Sequence, residues 1–418
     1  MKRNVIHTGD AFDVLPDLDD ESVHAVVTDP PYGLAFMGRD WDDFEPKEYQ
    51  EWSERWAREC KRVLKPGGHL LAFSGNRTHH RLFTGVEDAG FEIRDTLTWH
   101  YGSGFPKAAD VSKTIDKRAD AEREVVGQYE HPDGNPREWD EHAAAAESSE
   151  DYGEFEQNGR VETAPATDAA KKWDGWKTGL KPATEFIVMA RKPYNGATVD
   201  SVLENGTGAL NIDETRIGTD EDTSRPPSEM DEDSKYGEYD KPMGGNGHAE
   251  GRYPANVVFD ETAAEQLDNE VGELSSGGAP EERHNCGYSG GLNGQTETND
   301  TVGSDSGGPS RYFYTSKASR SERTEGGAIE NDHPTVKPRD LMEWLIKLVT
   351  REGQIVLDPF TGSGTTCMAA KGLGREFVGI ERQAKYADVA RVRCGLTPDD
   401  PSSVREDGVV GLEAFADD

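Results

Sequence analysis

Cysteine is nearly missing from this 418-residue chain. The four that occur, Cys60, Cys286, Cys367 and Cys394, lie far apart, with no Cys-x-x-Cys pair and no metal-ligand spacing. That excludes a disulfide scaffold and a structural zinc, so no metal is expected, and it fits a reducing, cytoplasmic compartment. Long apolar runs are missing as well: nothing approaches the roughly 18 residues a membrane span needs, and none is expected. Residues 1–10 hold no apolar signal segment. The apolar share is only 33% and the mean hydropathy −0.81, so part of the chain is expected to be disordered or heavily solvated. Basic residues are short: 46 Lys and Arg face 81 Asp and Glu, a net charge of −35. Phosphate binding ordinarily needs a basic surface, so this balance by itself argues against a nucleic-acid partner. Acids spread along a whole chain are also the mark of surfaces adapted to very high salt, where self-repulsion is screened, and a halophilic protein is expected.

What is present reads as two α/β segments around an irregular middle. Strand and helix signals alternate over the first 110 residues, with strands at 23–28, 69–73 and 91–99 and helices at 47–64 and 77–89. Lys65-Pro66-Gly67-Gly68 stops the first of those helices. The alternation dissolves from about 109 to 327, apart from an apolar strand at 183–191. It returns with a helix at 339–350, strands at 354–357 and 376–380, and helices at 365–372 and 384–393. Such alternation predicts a parallel sheet with helices on its faces.

Two motifs carry chemistry. In Asp358-Pro359-Phe360-Thr361-Gly362-Ser363-Gly364-Thr365-Thr366, two glycines two apart sit at a strand-to-helix turn, where a ligand can approach the backbone closely. Glu381 ends the next strand, and an acid at about that offset binds ribose hydroxyls in nucleotide sites. Without Gly-Lys-Ser/Thr a phosphate-cradling loop is excluded, and the dinucleotide pattern lacks its third glycine. A cofactor with a ribose but no pyrophosphate fits; so does a turn needed only for packing. The second motif is Asp29-Pro30-Pro31-Tyr32-Gly33. Its prolines stop a strand and fix the Asp29 carboxylate and the Pro30 carbonyl at the carboxyl end of the sheet, two acceptors for the two donors of an exocyclic amino group. Tyr32 offers a face on which a planar base can stack. A plain Pro-Pro turn is the competing reading.

Together the motifs resemble the S-adenosylmethionine-dependent DNA amino-methyltransferases, the N6-adenine and N4-cytosine family, in the motif order of its β group. Gly9-Asp10 is similar to that family's acidic contact to the cofactor adenine, and His333-Pro334-Thr335-Val336-Lys337-Pro338 to the segment before its cofactor-binding helix. The likeness covers about residues 4–105 and 310–393. Segments 182–191, 203–212 and 252–258 look like those of phage-type members. The resemblance implies a doubly wound, mostly parallel Rossmann-like methyltransferase sheet, circularly permuted, with an irregular target-recognition insertion. Residues 1–108 would be the catalytic half, 109–327 the target-recognition region with acidic mobile inserts, 328–396 the cofactor-binding half and 397–418 an acidic disordered tail. The implied catalytic set is Asp29, Pro30, Pro31 and Tyr32. The implied contacts to S-adenosyl-L-methionine are Asp10, Lys337, Asp358, Phe360, Gly362, Gly364, Thr365 and Glu381. Asp358 reads as a cofactor-amine or backbone partner, and Phe360 as a neighbour of the cofactor or of the core.

The implied reaction transfers a methyl group to the amino group of a base flipped from double-stranded DNA. Adenine N6 comes first, from the Asp of the motif, with cytosine N4 close behind. Cytosine-C5 chemistry is rejected because none of the four cysteines follows a proline at a strand end. RNA or protein-glutamine methylation, and an inactive DNA-binding regulator, are the alternatives. A homodimer and a cognate restriction enzyme are further partners the resemblance allows. The charge is not uniform: residues 129–170 carry twelve acids against two arginines and 219–241 nine acids against three basic residues, whereas 171–192 carry six basic residues against two acids. Trp173 and Trp176 sit among Lys171, Lys172, Lys177 and Lys181, and Tyr312, Phe313 and Tyr314 between Arg311 and Lys317, a mixture that suits nucleic acid as well as an ordinary anchored surface. His79-His80 reads as a solvated or DNA-facing pair, since neighbours on a helix diverge.

Overall fold

The structure, a computed structural model, describes residues 1–34, 44–102, 104, 108–128, 161–219, 251–276, 305–316, 331 and 336–400. The acidic stretches within 129–160 and 220–250, the Gly/Ser-rich 277–304, the basic residues beyond Ser316, His333 to Thr335 and the tail from 401 lie outside these. No described helix is long and apolar enough to cross a membrane.

Thirteen strands are described: β1 (Val5–Thr8), β2 (Val23–Thr28), β3 (Leu64–Ser74), β4 (Glu92–His100), β5 (Val125–Gln128), β6 (Val161–Thr163), β7 (Thr184–Arg191), β8 (Val257–Asp260), β9 (Leu274–Ser276), β10 (Asp305–Gly307), β11 (Tyr314–Ser316), β12 (Ile355–Asp358) and β13 (Glu376–Glu381). Nine form one sheet in the order β1-β13-β12-β2-β3-β7-β4-β8-β11, and β5 with β6 and β9 with β10 form separate ribbons. Every pairing in the large sheet is parallel except those of β7, which runs against both β3 and β4. The mostly parallel, doubly wound sheet expected from the sequence is therefore present. Three of its strands, β7, β8 and β11, come from within 109–327, so that segment supplies sheet as well as insertion.

Burial explains why these runs became strands. Along β3, Leu71 and Phe73 pack on one face while Leu70 and Ala72 pack on the other; along β7, Ile187 and Met189 alternate in the same way with Val188 and Ala190. Both faces being covered is what a parallel sheet requires. The helices 339–349, 365–372 and 384–393 cover the first face, and 46–63 and 79–88 the second. One boundary differs from expectation. Lys65 to Gly68 do not separate helix from strand; they bulge inside β3, whose register against β2 jumps from Val23↔Leu64 to Ala25↔His69.

The stretches 109–128 and 161–182 form a small module beside β4 and β7, fastened by one buried acid. Asp116 accepts from Ala166 N (2.9 Å), Thr167 N (3.0 Å), Thr167 Oγ1 (2.7 Å) and Arg123 Nη1 (2.6 Å), and these donors hold its carboxyl down at about 2. Trp173 and Trp176 lie edge to face at 5.0 Å, and Trp176 is exposed.

Candidate active site

The strand order reverses its direction of growth between β12 and β2, which places a crevice beyond their carboxyl ends, where open α/β sheets bind ligands. Both motifs end there. Thr28, just before the Asp29 motif, and Asp358, which begins the glycine motif, are 330 residues apart in sequence, yet Thr28 Oγ1 donates to Asp358 Oδ1 at 2.6 Å. Asp358 also accepts from Phe360 N at 3.1 Å, and burial pushes its carboxyl up to about 6. Of the two roles open to it, the structure shows the backbone partner.

At the β2 side, Pro30 is buried and Asp29 half-buried. The turn is clamped from above: Tyr49 of the 46–63 helix donates to the Pro31 carbonyl at 2.8 Å. Its ring lies so close to Gly33 that a Cβ there would stand 2.8 Å away, and Gly33 itself has φ +64°, a region L side chains rarely adopt. Asp29 Oδ1 accepts from the Tyr32 hydroxyl at 2.9 Å, and Asp29 Oδ2 meets Lys337 Nζ at 2.6 Å. The same hydroxyl lies 2.8 Å from Glu185 Oε2, and the same ammonium 3.4 Å from it. Lys337 is buried, but the facing carboxylates Asp29 and Glu185 outweigh that burial and raise its pKa, so it stays charged. Burial and the same two carboxylates push the Tyr32 hydroxyl well above its ordinary range.

At the β12–β13 side the contacts are mostly backbone. Gly362 N donates to Glu381 Oε2 at 3.0 Å, Gln383 N to Glu381 Oε1 at 2.7 Å, and Gly9 N to the Glu381 carbonyl at 2.9 Å. Burial raises the Glu381 carboxyl. Asp10, one residue on, caps the helix 11–14 by accepting from Phe12 N at 2.9 Å. Gly364 starts the 365–372 helix at φ +87°, and a Cβ on it would stand 2.8 Å from Ala390. The loop is pinned from behind by Arg393, whose Nη1 reaches Ser363 O (2.8 Å), Ser363 Oγ (3.1 Å) and Thr365 Oγ1 (3.1 Å). Arg391 ties the 384–393 helix to β1 through Ile6 O at 2.9 Å and Thr8 Oγ1 at 2.8 Å.

The structure thus brings Asp10, Gly362, Gly364, Thr365 and Glu381 to one end of the crevice and Asp29, Pro30, Pro31 and Tyr32 to the other, with Asp358 at the seam. Lys337, grouped by motif with the cofactor residues, lies against Asp29. The Phe360 ring packs with Trp52 (5.3 Å) and Trp56 (5.5 Å) on the second core face. His79 stacks on Phe186 at 4.2 Å. Among the described residues no group of three His, Cys, Asp or Glu is placed to hold a metal. Glu185, Arg391 and Arg393 were not singled out from the sequence. Glu185 reaches the rim because β7 is the reversed strand: only there do a strand's first residues lie beside the carboxyl ends of its neighbours. An acid at the second position of a strand whose middle, Phe186 to Ala190, is wholly apolar was the available signal.

The DNA methylase family model for the N6/N4 enzymes matches residues 23–392. The type II methyltransferase M.HindIII of Haemophilus influenzae is 23% identical over 431 residues, spanning 94% of this chain and 95% of that protein. Among solved structures, the cytosine-N4-specific PvuII DNA methyltransferase aligns with a TM-score of 0.43 at 14% identity, over 98% of this chain and 88% of that one. The Thermus thermophilus TTHA0409 protein, complexed with S-adenosyl-L-methionine, aligns with 0.39 at 18% identity, over 94% and 93%.

Proposed function

The chain belongs to the N6/N4 DNA methylase family, and from that premise we propose that it methylates the exocyclic amino group of a base flipped out of duplex DNA, adenine N6 first, using S-adenosyl-L-methionine. The observation that carries this reading is the 2.6 Å bond from Thr28 to Asp358, which seats the amino-accepting turn and the glycine loop side by side at the switch point.

The residues fit that cofactor. Two acids at the ends of adjacent strands, Glu381 and Asp10, suit ribose hydroxyls and an adenine amine. The Gly362–Gly364 loop lets a ligand lie against backbone, and no basic residue of the loop calls for a phosphate. Bound there, S-adenosyl-L-methionine would supply an electrophilic methyl on a sulfonium. The chain's own residues do the rest. Tyr32, its ring held by a hydroxyl that donates to Asp29 or Glu185, stacks on the flipped base. Asp29 and the Pro30 carbonyl accept from the amino group, drawing nitrogen towards tetrahedral geometry and freeing its lone pair for attack. The gain comes from positioning and fixed charge rather than a covalent intermediate. The exposed Trp176 and its neighbouring lysines suit contact with the DNA.

Incubation with labelled S-adenosylmethionine and duplex DNA, RNA or protein tests the substrate. Label in DNA alone is expected, and label confined to RNA or protein overturns the reading. Expression in a methylation-free host, followed by modified-base sequencing, then reads adenine against cytosine and gives the recognition sequence.

A further inference from the structure

Glu185 stands at the reactive rim without belonging to either motif. Asp29 Oδ1, the Tyr32 oxygen and Glu185 Oε2 form a row with spacings of 2.9 and 2.8 Å. A phenol carries one proton, so Tyr32 donates to one carboxylate at a time and turns a lone pair to the other. Lys337 touches both carboxylates, at 2.6 and 3.4 Å. One ammonium against two carboxylates leaves the cluster one proton short of neutrality. A methylated amino group has one proton to lose.

Resting on the amino-methyltransferase reading, we propose that Glu185 receives, through Tyr32, the proton that the target amino group releases on methylation. The balance is complete. As the nitrogen lone pair forms the new N–C bond, the donor's S–C bond breaks with its electrons left on sulfur, and the nitrogen's surplus proton is drawn off in the same step. That proton passes to Asp29. Asp29 Oδ1 then gives a proton to the Tyr32 oxygen while the Tyr32 hydroxyl gives its own to Glu185 Oε2. Asp29 returns to a carboxylate, Tyr32 is unchanged, and Glu185 holds the proton. No free phenolate forms at any point, as the raised Tyr32 pKa requires. The Glu185 side chain, like that of Asp29, keeps 19% of its surface exposed, and from it the proton leaves to water. Glu185 acts through Tyr32 and is a positioning residue for the reaction, not one that touches the base.

The test compares wild type, Glu185→Gln, Tyr32→Phe and the double variant in single-turnover methylation of the target duplex, in H2O and D2O, with DNA and cofactor affinities measured separately. Each single substitution is expected to slow the reaction about tenfold, a modest proton-transfer effect, while both affinities stay within about threefold. The double variant should be no slower than the slower single one, because both break one path. The wild-type rate should curve with deuterium fraction, as two protons in flight demand, and become linear in Glu185→Gln. A Glu185→Gln protein with the wild-type rate, or an effect that multiplies with that of Tyr32→Phe, overturns the relay alone. A folded wild type that methylates no DNA overturns the functional reading, and the relay with it.

Discussion

At the β2 end of the crevice four side chains, Asp29, Tyr32, Glu185 and Lys337, meet and leave few contacts to backbone; at the β12–β13 end the contacts are mostly backbone of the Gly362–Gly364 loop, tied to the Glu381 carboxylate and braced from behind by the buried Arg393. The first end can exchange protons without changing shape. The second fixes a shape, its carboxylates Glu381 and Asp10 being tied to backbone N–H groups. The division follows the proposed chemistry, since an amino group must lose a proton and a nucleoside needs only to be held. If it is real, substitutions at one end should spare the functions of the other.

The largest effect is expected at Asp29. Asp29→Ala removes the acceptor that faces the amino group, and the single-turnover rate should fall about 10³-fold, the scale of losing a preorganised electrostatic group. Titration of cofactor into the variant should give an affinity within about threefold of wild type. A matching loss of cofactor binding would show that the two ends are one unit.

Asp358 lies on the seam, and its effect is on stability. Its carboxyl is raised to about 6 by burial, above an unfolded value near 4. Between those values the native chain binds a proton that the unfolded chain does not, so this contribution is fully present below the lower value and lost as pH rises through the upper one. At pH 7 the loss amounts to as much as about 3 kcal/mol. Asp358→Asn keeps an acceptor for Thr28 and Phe360 N and has no proton to lose. Its melting midpoint should exceed the wild-type one by a few degrees at neutral pH, with the difference vanishing near pH 4. Parallel curves across that range would contradict it.

Arg393 should show the complementary pattern to Asp29. Arg393→Met leaves the buried Ser363 carbonyl and hydroxyl without their donor, at about 2 kcal/mol. Cofactor affinity should drop roughly tenfold, and the rate at saturating cofactor should stay close to wild type. A slowed rate at saturation would mean the loop also aligns the reacting groups.

Sequence disclosed the parts of this site whose logic is local. A strand end, two prolines and an aromatic are adjacent residues, and two glycines at a strand-to-helix turn announce themselves by spacing. Most helix and strand limits in both α/β segments were legible for the same reason, because the apolar runs of a sheet buried on both faces are written over a few residues; the start of β3 and the short edge strand β1 were not. What was hidden depends on distant partners. Glu185 matters only because β7 is reversed and Tyr32 lies 153 positions away. Arg393 reads as a surface charge at the end of a helix until Ser363 is folded over it. The strands β8 and β11 hold β-favouring residues (Val257, Val258, Phe259; Tyr314, Thr315), but at four and three residues they are too short for a pattern to set them apart from the irregular sequence around them.

The net charge of −35 bears on how the site meets DNA, and here the expected effect is the smallest. Among the described lysines near the exposed tryptophans, Lys177 pairs with Asp110, Lys181 donates to the Gly102 carbonyl at 2.7 Å, and Lys171 reaches Asp168 at 3.3 Å. Lysines already engaged offer fewer charges to phosphates and so displace fewer of the counterions condensed on DNA, which leaves more of the affinity to base contacts and stacking. At about 1 M salt the Debye length is roughly 3 Å, and repulsion between DNA and more distant acids is screened away. Plotting log affinity against log salt should therefore give a slope no steeper than about −3, against the −6 or beyond of proteins that grip many phosphates. A steep slope would mean that basic residues outside the described segments carry the DNA, and that the acids are a cost the chain bears rather than an adaptation to salt; the Asp29 and Arg393 outcomes would be untouched by it.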